Sequence, residues 1–113
     1  MDKNTVLLFT RQGLGHGPDA LMQLLTDRFL GLIGDAGLMP AKILFYTDGV
    51  KLACEGSPVI DRLQSLQERG VELILCKTCL GYFGLTDQVK VGVVGGMADI
   101  VQAMQDADKV ISL

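Results

Sequence analysis

The sequence predicts an α/β fold in which a five-stranded, mostly parallel, flavodoxin-like sheet forms the middle layer of an α/β/α sandwich. Strand-like and helix-like segments alternate along the chain without a linker, which is typical of a parallel sheet with helices on both faces. The strand-like segments are continuous apolar runs, as expected for strands covered on both sides. A length of 113 residues fits a single domain spanning 1–113.

The first strand is predicted over 5–10, where an apolar run ends in a glycine-rich turn. Pro18 then opens a helix at the first helical position, with Asp19 in the favourable first turn. Gly34 and Gly37 are predicted to end this helix. Its apolar residues recur every three or four positions and predict one buried face: Leu21, Met22, Leu25, Phe29, Leu32 and Ile33.

A second strand is predicted over 42–46, followed by a long polar connection over 47–57. Ser57 and Pro58 form a good pair for capping and starting the second helix. Gly70 ends that helix. Its predicted buried side consists of Val59, Ile60, Leu63 and Leu66.

The last part of the chain repeats the alternation of strands and helices. The third strand is predicted to end where two cysteines stand three residues apart. A glycine pair separates the fourth strand from the last long helix. The predicted elements are a strand over 71–75, a short helical turn through Tyr82 and Phe83, a strand over 89–94, a helix over 97–106 and a strand over 109–113.

Composition excludes several classes of function. A net charge of −3 without a cluster of Lys or Arg argues against direct binding of nucleic acid. No apolar stretch approaches the roughly 20 residues that a membrane-spanning helix needs. Asp2 and Lys3 lead directly into the first strand, so no signal peptide is expected. The odd count of three cysteines predicts reduced thiols and a cytoplasmic location. A mean hydropathy of +0.36 favours a subunit interface, hence a homo-oligomer.

The cysteine pair is the main chemical feature of the sequence. Cys76 and Cys79 follow the third predicted strand, at the edge of the sheet where α/β proteins build their sites. A helix start close to a thiol lowers its pKa slightly, and Lys77 adds a comparable effect if its ammonium turns inward. The alternative is that Cys76 is a small buried residue at a strand end. Cys54 is most simply a tolerated loop thiol.

Three segments in the same order resemble the DsrE/TusD-like (DsrE/DsrF-like) family, most closely the C-terminal domain of YedF-type proteins of sulfur or selenium metabolism. They are Asp-Gly-Val-Lys-Leu at 48–52, Glu-Gly-Ser at 55–57 and Cys-x-x-Cys-Leu-x-x-x-Gly-Leu at 76–85. The resemblance spans 6–113 and implies an oligomeric cytoplasmic α/β protein. It also implies that a cysteine persulfide carries sulfane sulfur (or selenium) between donor and acceptor proteins.

The resemblance also bears on which cysteine is the carrier. TusD-type members place theirs about eight residues before a glycine, and Cys76 stands eight before Gly84. Spacing therefore favours Cys76, with Cys79 as a candidate resolving thiol, although Cys79 is better placed in the first turn of the short helix. YedF-type proteins usually carry an N-terminal TusA-like domain, and none is expected within residues 1–113. A TusA-like protein is thus an expected partner, and no family role is assigned to Cys54.

The glycine-rich loop after the first strand predicts an anion-binding site. Gly13, Gly15 and Gly17 precede a helix start, where free amides and the helix dipole favour a sulfate-like or phosphate-like group. His16 is the only histidine and could orient a substrate, although a solvated loop histidine is the simpler interpretation. Lys77 and Thr78, beside the thiols, complete the predicted substrate-binding set. A dinucleotide site is not expected, because the third glycine of its motif would fall on a proline.

Alternative functions use the same residues. A Cys-x-x-Cys pair also occurs in thiol–disulfide redox proteins, and the chain could instead be a non-catalytic binding or scaffold subunit. His16, Cys54, Cys76 and Cys79 could form a Cys₃His zinc site, although structural sites normally use close pairs of ligands. Phosphorylation of the receiver-domain type is excluded, since Thr-Arg-Gln at 10–12 replaces the acidic residues it needs. The sequence predicts no cofactor and no resident metal. Whether the protein is an enzyme that turns over a substrate is left open.

Overall fold

The structure, a computed structural model, describes Met1 and residues 4–113. Asp2 and Lys3, on which the prediction about a signal peptide rests, lie outside the described residues. The strands are Thr5–Phe9 (β1), Lys42–Phe45 (β2), Glu72–Cys76 (β3), Val93–Gly95 (β4) and Lys109–Ser112 (β5). The α-helices are Asp19–Asp35 (α1), Ile60–Glu68 (α2), Lys77–Tyr82 (α3) and Met97–Asp106 (α4), and 3₁₀ helices span Thr47–Ala53 and Thr86–Gln88.

All four strand pairings are parallel, in the order β4-β3-β2-β1-β5. The chain moves outward one strand at a time from β1 to β4 and then crosses back to β5 beside β1. Right-handed crossovers therefore place α1 and α2 on one face and α4 on the other. In keeping with this, α1 packs against α2, whereas α4 packs on β3 and β4. The predicted three-layer α/β fold is confirmed.

The core is built mainly on the three central strands. β1 and the apolar parts of β2 and β3 are buried as continuous runs, as predicted for strands covered on both faces. The rings of Phe9 and Phe45 stack 5.7 Å apart at the carboxyl ends of β1 and β2. The edge strand β4 differs, because Val93 and Val94 are exposed. No described helix is long and apolar enough to cross a membrane.

The predicted buried face of α1 is partly wrong. Met22 and Ile33 are buried and Phe29 is half-buried, whereas Leu21, Leu25 and Leu32 are exposed. The helix buries a different stripe, which includes Thr26 and Leu30. Leucines lie on both sides of this helix, so spacing alone selected the wrong ones. Leu21, Leu24, Leu25 and Leu32 instead form an exposed apolar stripe, named here the α1 stripe.

The predicted polar connection after β2 is also wrong. It contains the 3₁₀ helix Thr47–Ala53, whose Val50, Leu52 and Ala53 are buried. The first helix continues one residue past Gly34, and the fourth strand is shorter than predicted. Pro18 occupies the capping position just before α1 rather than the first helical position. Ser57 and Pro58 do not cap and start the second helix as predicted, because α2 begins at Ile60 with Val59 in the capping position. Ser57 Oγ instead accepts a hydrogen bond from Val59 N at 3.2 Å.

Candidate functional site

The candidate site lies where the carboxyl ends of three neighbouring strands meet. β1, β2 and β3 are adjacent and parallel, so the residues that follow them come together at one edge of the sheet. Thr10 follows β1, Thr47 follows β2, and Cys76 is the last residue of β3. Cys79 lies one helical turn further on, in α3. The sequence predicted a site at this edge from the two thiols and from the glycine-rich loop after β1.

The two thiols differ in exposure. Cys76 is only 1 % exposed, between the end of β3 and the first residue of α3. Cys79 is half-buried, and neither cysteine forms a disulfide. Cys79 is therefore the member of the pair that another molecule can reach. The spacing to Gly84 favoured Cys76 as the carrier, whereas the burial of Cys76 favours Cys79.

The surroundings of Cys79 act on its pKa in opposite directions. Burial raises the pKa of the Cys79 thiol, and the neighbouring Cys76 thiol raises it further. The backbone amide of Thr47 donates a hydrogen bond to Cys79 Sγ at 3.1 Å and lowers the pKa. The net effect is a pKa above the usual cysteine value. Of the two backbone groups that favour the thiolate, the Thr47 amide has the larger effect and the backbone of Cys79 itself the smaller.

A charged and aromatic wall stands beside the thiols. Lys51 Nζ forms an ion pair with Asp48 Oδ1 at 2.7 Å and lies 4.3 Å from the centre of the Phe83 ring. Phe83 in turn meets Tyr82 edge-to-face at 5.4 Å. Tyr82 is 86 % exposed, so it does not shield the thiol from water. The outward-facing tyrosine is available to a second molecule.

Behind this wall lies a cleft of about 380 Å³. Cys54 borders it but is 1 % exposed, and its thiol donates a hydrogen bond to Val50 O at 3.2 Å. Burial keeps other molecules away from the Cys54 thiol and also raises its pKa. Cys54 is thus a buried residue after the 3₁₀ helix rather than a loop thiol. The cleft is lined by Gln12, Lys51, Cys54, Glu55, Gly56, Ser57, Phe83 and Leu85.

The predicted anion-binding loop is anchored to α1. Leu14 N, in the middle of this loop, donates to Thr26 Oγ1 at 2.8 Å and to Met22 O at 3.2 Å, so this amide is occupied. Gly13 lies directly against Met22, where a side chain would not fit. The outer residues Gly15, His16 and Gly17 are exposed. No hydrogen bond among residues 4–113 joins this loop to the thiols, and its anion-binding role stays a prediction.

Lys77 and Thr78, the other predicted substrate-binding residues, are exposed on α3. In the described part of the chain Lys77 forms no ion pair, and it is not among the groups that shift the pKa of Cys79. Asp48 and Glu55, the acids that begin two of the family-like segments, bind lysines: Asp48 pairs with Lys51, and Glu55 with Lys90 at 3.0 Å.

A zinc site finds no support in the geometry. Among the described residues, no three His, Cys, Asp or Glu side chains lie close enough together to hold a metal ion. This holds for the Cys₃His set of His16, Cys54, Cys76 and Cys79.

Thr47 is the residue of this site that sequence reasoning missed. Threonine carries no chemical signature, and the segment 47–57 looked like a polar connection. The available signal was positional: in a parallel sheet the first residues after β2, Tyr46 and Thr47, must lie next to those after β1 and β3.

Comparison with known proteins identifies relatives of the chain. The model of the DsrE/DsrF-like family matches residues 21–113. No curated protein matches at a significant level.

Solved structures share the fold. The ychN protein from Escherichia coli aligns with a TM-score of 0.73 at 22% identity, covering 99% of this chain and 100% of that one. A protein of unknown function from Methanobacterium thermoautotrophicum aligns with a TM-score of 0.70 at 20% identity, covering 99% and 100%. A conserved protein of unknown function from Bacteroides thetaiotaomicron gives a TM-score of 0.69 at 17% identity, covering 96% and 93%. At these identities the likeness concerns the fold alone.

Proposed function

Because this chain belongs to the DsrE/DsrF-like family, we propose that it binds or relays sulfane sulfur as a persulfide on Cys79. Family membership supports a role in sulfur relay in general terms. One observation carries the finer proposal. Of the two thiols at the carboxyl edge of the sheet, Cys79 is accessible and its Sγ accepts a backbone hydrogen bond, whereas Cys76 is buried.

The proposed loading step is a simple exchange of sulfur. The Cys79 thiolate attacks the outer, sulfane sulfur of a donor persulfide R–S–SH, forming a bond from Sγ to that sulfur. The donor S–S bond breaks and its electron pair leaves with the donor thiolate, R–S⁻. The proton stays on the transferred sulfur, so no external oxidant or reductant is needed. Selenium from a donor of the same type would load the same thiol.

Intact-mass measurement tests the proposal. The wild-type chain, incubated with a small-molecule persulfide donor and freed of excess donor, is expected to gain one sulfur mass. A reductant should remove that mass. An unchanged mass would contradict the persulfide proposal. It would favour the alternative that the chain is a non-catalytic scaffold subunit. A loss of two hydrogens would instead identify a Cys76–Cys79 disulfide and a thiol–disulfide redox protein.

A homo-oligomer (dimer, trimer or hexamer) is part of the same proposal. The α1 stripe leaves four leucines exposed on one helix, and α4 exposes Met97 and Val101 on the opposite face of the sheet. Apolar surfaces of this kind usually mark interfaces between subunits. Sedimentation of the chain at micromolar concentration should give a mass above that of the 12.1 kDa monomer. A purely monomeric mass would contradict the oligomer.

The partners in this proposal are a sulfur donor protein and an acceptor protein, such as a TusA-like carrier, in the cytoplasm. Tyr82 and Lys77 are exposed on the helix that carries Cys79, so a docked protein would meet them.

A further inference from the structure

Thr47 stands at the end of β2 in a backbone conformation that threonine rarely adopts. Its φ is 49°, and within residues 4–113 it is the only non-glycine residue with positive φ. A β-branched side chain is strongly disfavoured in this region, so the conformation persists only where neighbouring groups enforce it. Outliers of this kind cluster at functional sites.

The side chain of Thr47 supplies the enforcing contact. Its hydroxyl donates to Thr10 O at 2.6 Å, at the end of the neighbouring strand β1, and Oγ1 also lies 2.7 Å from Tyr46 O. The hydroxyl therefore ties the end of β2 to the end of β1. Tyr46 N reinforces the tie by donating to Phe9 O at 3.1 Å.

The backbone of the same residue faces the thiol. Thr47 N lies 3.1 Å from Cys79 Sγ and donates a hydrogen bond to it. One residue thus has two functions: its hydroxyl fixes the loop to β1, and the loop in this position holds the amide against the sulfur.

We propose that Thr47 is a positioning residue for sulfur transfer, which holds its own amide on Cys79 Sγ where negative charge gathers as the persulfide is discharged. This inference rests on the proposed function. In discharge an acceptor thiolate attacks the outer sulfur of Cys79–S–SH, and the bond from Sγ to that sulfur breaks. The electron pair goes to Sγ, and the proton remains on the transferred sulfur, which leaves as the acceptor persulfide.

A hydrogen bond on Sγ assists this step in particular. The better the leaving thiolate is stabilised, the faster it leaves, and attack on the outer sulfur is favoured over attack on Sγ. The bond to a sulfur anion is stronger than the bond to a neutral thiol, so the amide stabilises the transition state more than the loaded ground state.

The test compares Thr47→Val, which keeps the β-branch and loses the hydroxyl, with Thr47→Ser, which keeps the hydroxyl. Thr86→Val is the matched control, because Thr86 is exposed and its side chain forms no hydrogen bond among the described residues. The first readout is the pH profile of Cys79 alkylation, resolved by peptide mass spectrometry. The second is the rate at which loaded protein passes sulfur to a small thiol.

Thr47→Val is expected to slow both Cys79 alkylation at neutral pH and sulfur discharge by about fivefold, the effect of one ordinary hydrogen bond. The hydrogen bond from the Thr47 amide lowers the pKa of Cys79. Its loss should therefore raise that pKa and shift the alkylation profile to higher pH. Thr47→Ser and Thr86→Val should match the wild type in both readouts.

Two results would overturn the inference. An unshifted alkylation profile in Thr47→Val would show that the hydroxyl does not hold the amide on the sulfur. A shifted profile with unchanged discharge would show that the hydrogen bond has no part in transfer. Failure of the proposed function itself is separate: the wild type would then take up no sulfur, whereas alkylation of Cys79 would still respond to Thr47→Val.

Discussion

Replacement of Cys79 by serine is expected to abolish sulfur loading completely. Cys79 is the accessible thiol of the pair, and a serine hydroxyl at the same position cannot form a persulfide. Cys76 and Cys54, each 1 % exposed, offer no surface to a donor. Intact mass after incubation with a persulfide donor should therefore show no added sulfur in Cys79→Ser, against stoichiometric loading in the wild type.

Cys76→Ala is the matched control for this prediction. It removes the other thiol of the motif, whose presence raises the pKa of Cys79. Loading at neutral pH should therefore persist and proceed at least as fast as in the wild type. The opposite pattern, with loading lost in Cys76→Ala and retained in Cys79→Ser, would make Cys76 the carrier, as the spacing to Gly84 had suggested.

The largest expected effect on stability comes from Gly49→Ala. Gly49 is buried in the 3₁₀ helix Thr47–Ala53, and an added Cβ would collide with the backbone carbonyl of Phe9. A backbone atom inside the sheet cannot move aside as a flexible side chain can. The 3₁₀ helix would have to leave β1 and expose buried residues such as Val50 and Leu52.

We expect Gly49→Ala to lower the free energy of unfolding by about 3 kcal/mol. For a domain of this size that corresponds to a fall in Tm of roughly 10–20 °C, measurable by circular dichroism. Gly81→Ala is the control, because an added Cβ meets nothing within 4 Å in the helix α3. It should leave Tm unchanged or raise it slightly, since alanine favours a helix. Equal Tm values for the two variants would contradict the described packing of Gly49.

The sequence was sufficient to predict the sheet and most of its helices. Short apolar runs bounded by glycines identified the strands, and the predicted last helix, 97–106, matches Met97–Asp106. These predictions worked because the central strands are buried on both faces and so carry an uninterrupted apolar pattern. Of the four residues predicted for the buried side of the second helix, Val59, Leu63 and Leu66 are buried and Ile60 is half-buried.

The failures have a common physical cause, which is that burial depends on neighbours distant in sequence. α1 carries leucines on two sides, and only its contact with the sheet and α2 decides which side is covered. The connection after β2 looked polar, but its Val50 and Leu52 fill space between elements far apart in the chain.

The candidate site was predicted in position but not in composition. The two cysteines gave its place at the carboxyl edge of the sheet. Their relative exposure could not be read from Cys-x-x-Cys, because it depends on Cys76 ending a buried strand and Cys79 lying one turn later on a surface helix. The contribution of Thr47 depends on a φ angle and a contact with Thr10, neither of which has a sequence signature.

A chain in which Cys79 is the only cysteine provides the most direct measurement. This variant combines Cys54→Ser with Cys76→Ala and is incubated with a persulfide donor before its intact mass is recorded. If Cys79 is the carrier, the protein gains one sulfur mass, and a reductant returns it to the starting mass. If the variant is folded and its mass does not change while the wild type loads sulfur, Cys79 is not sufficient, and the assignment of the carrier to Cys79 is wrong.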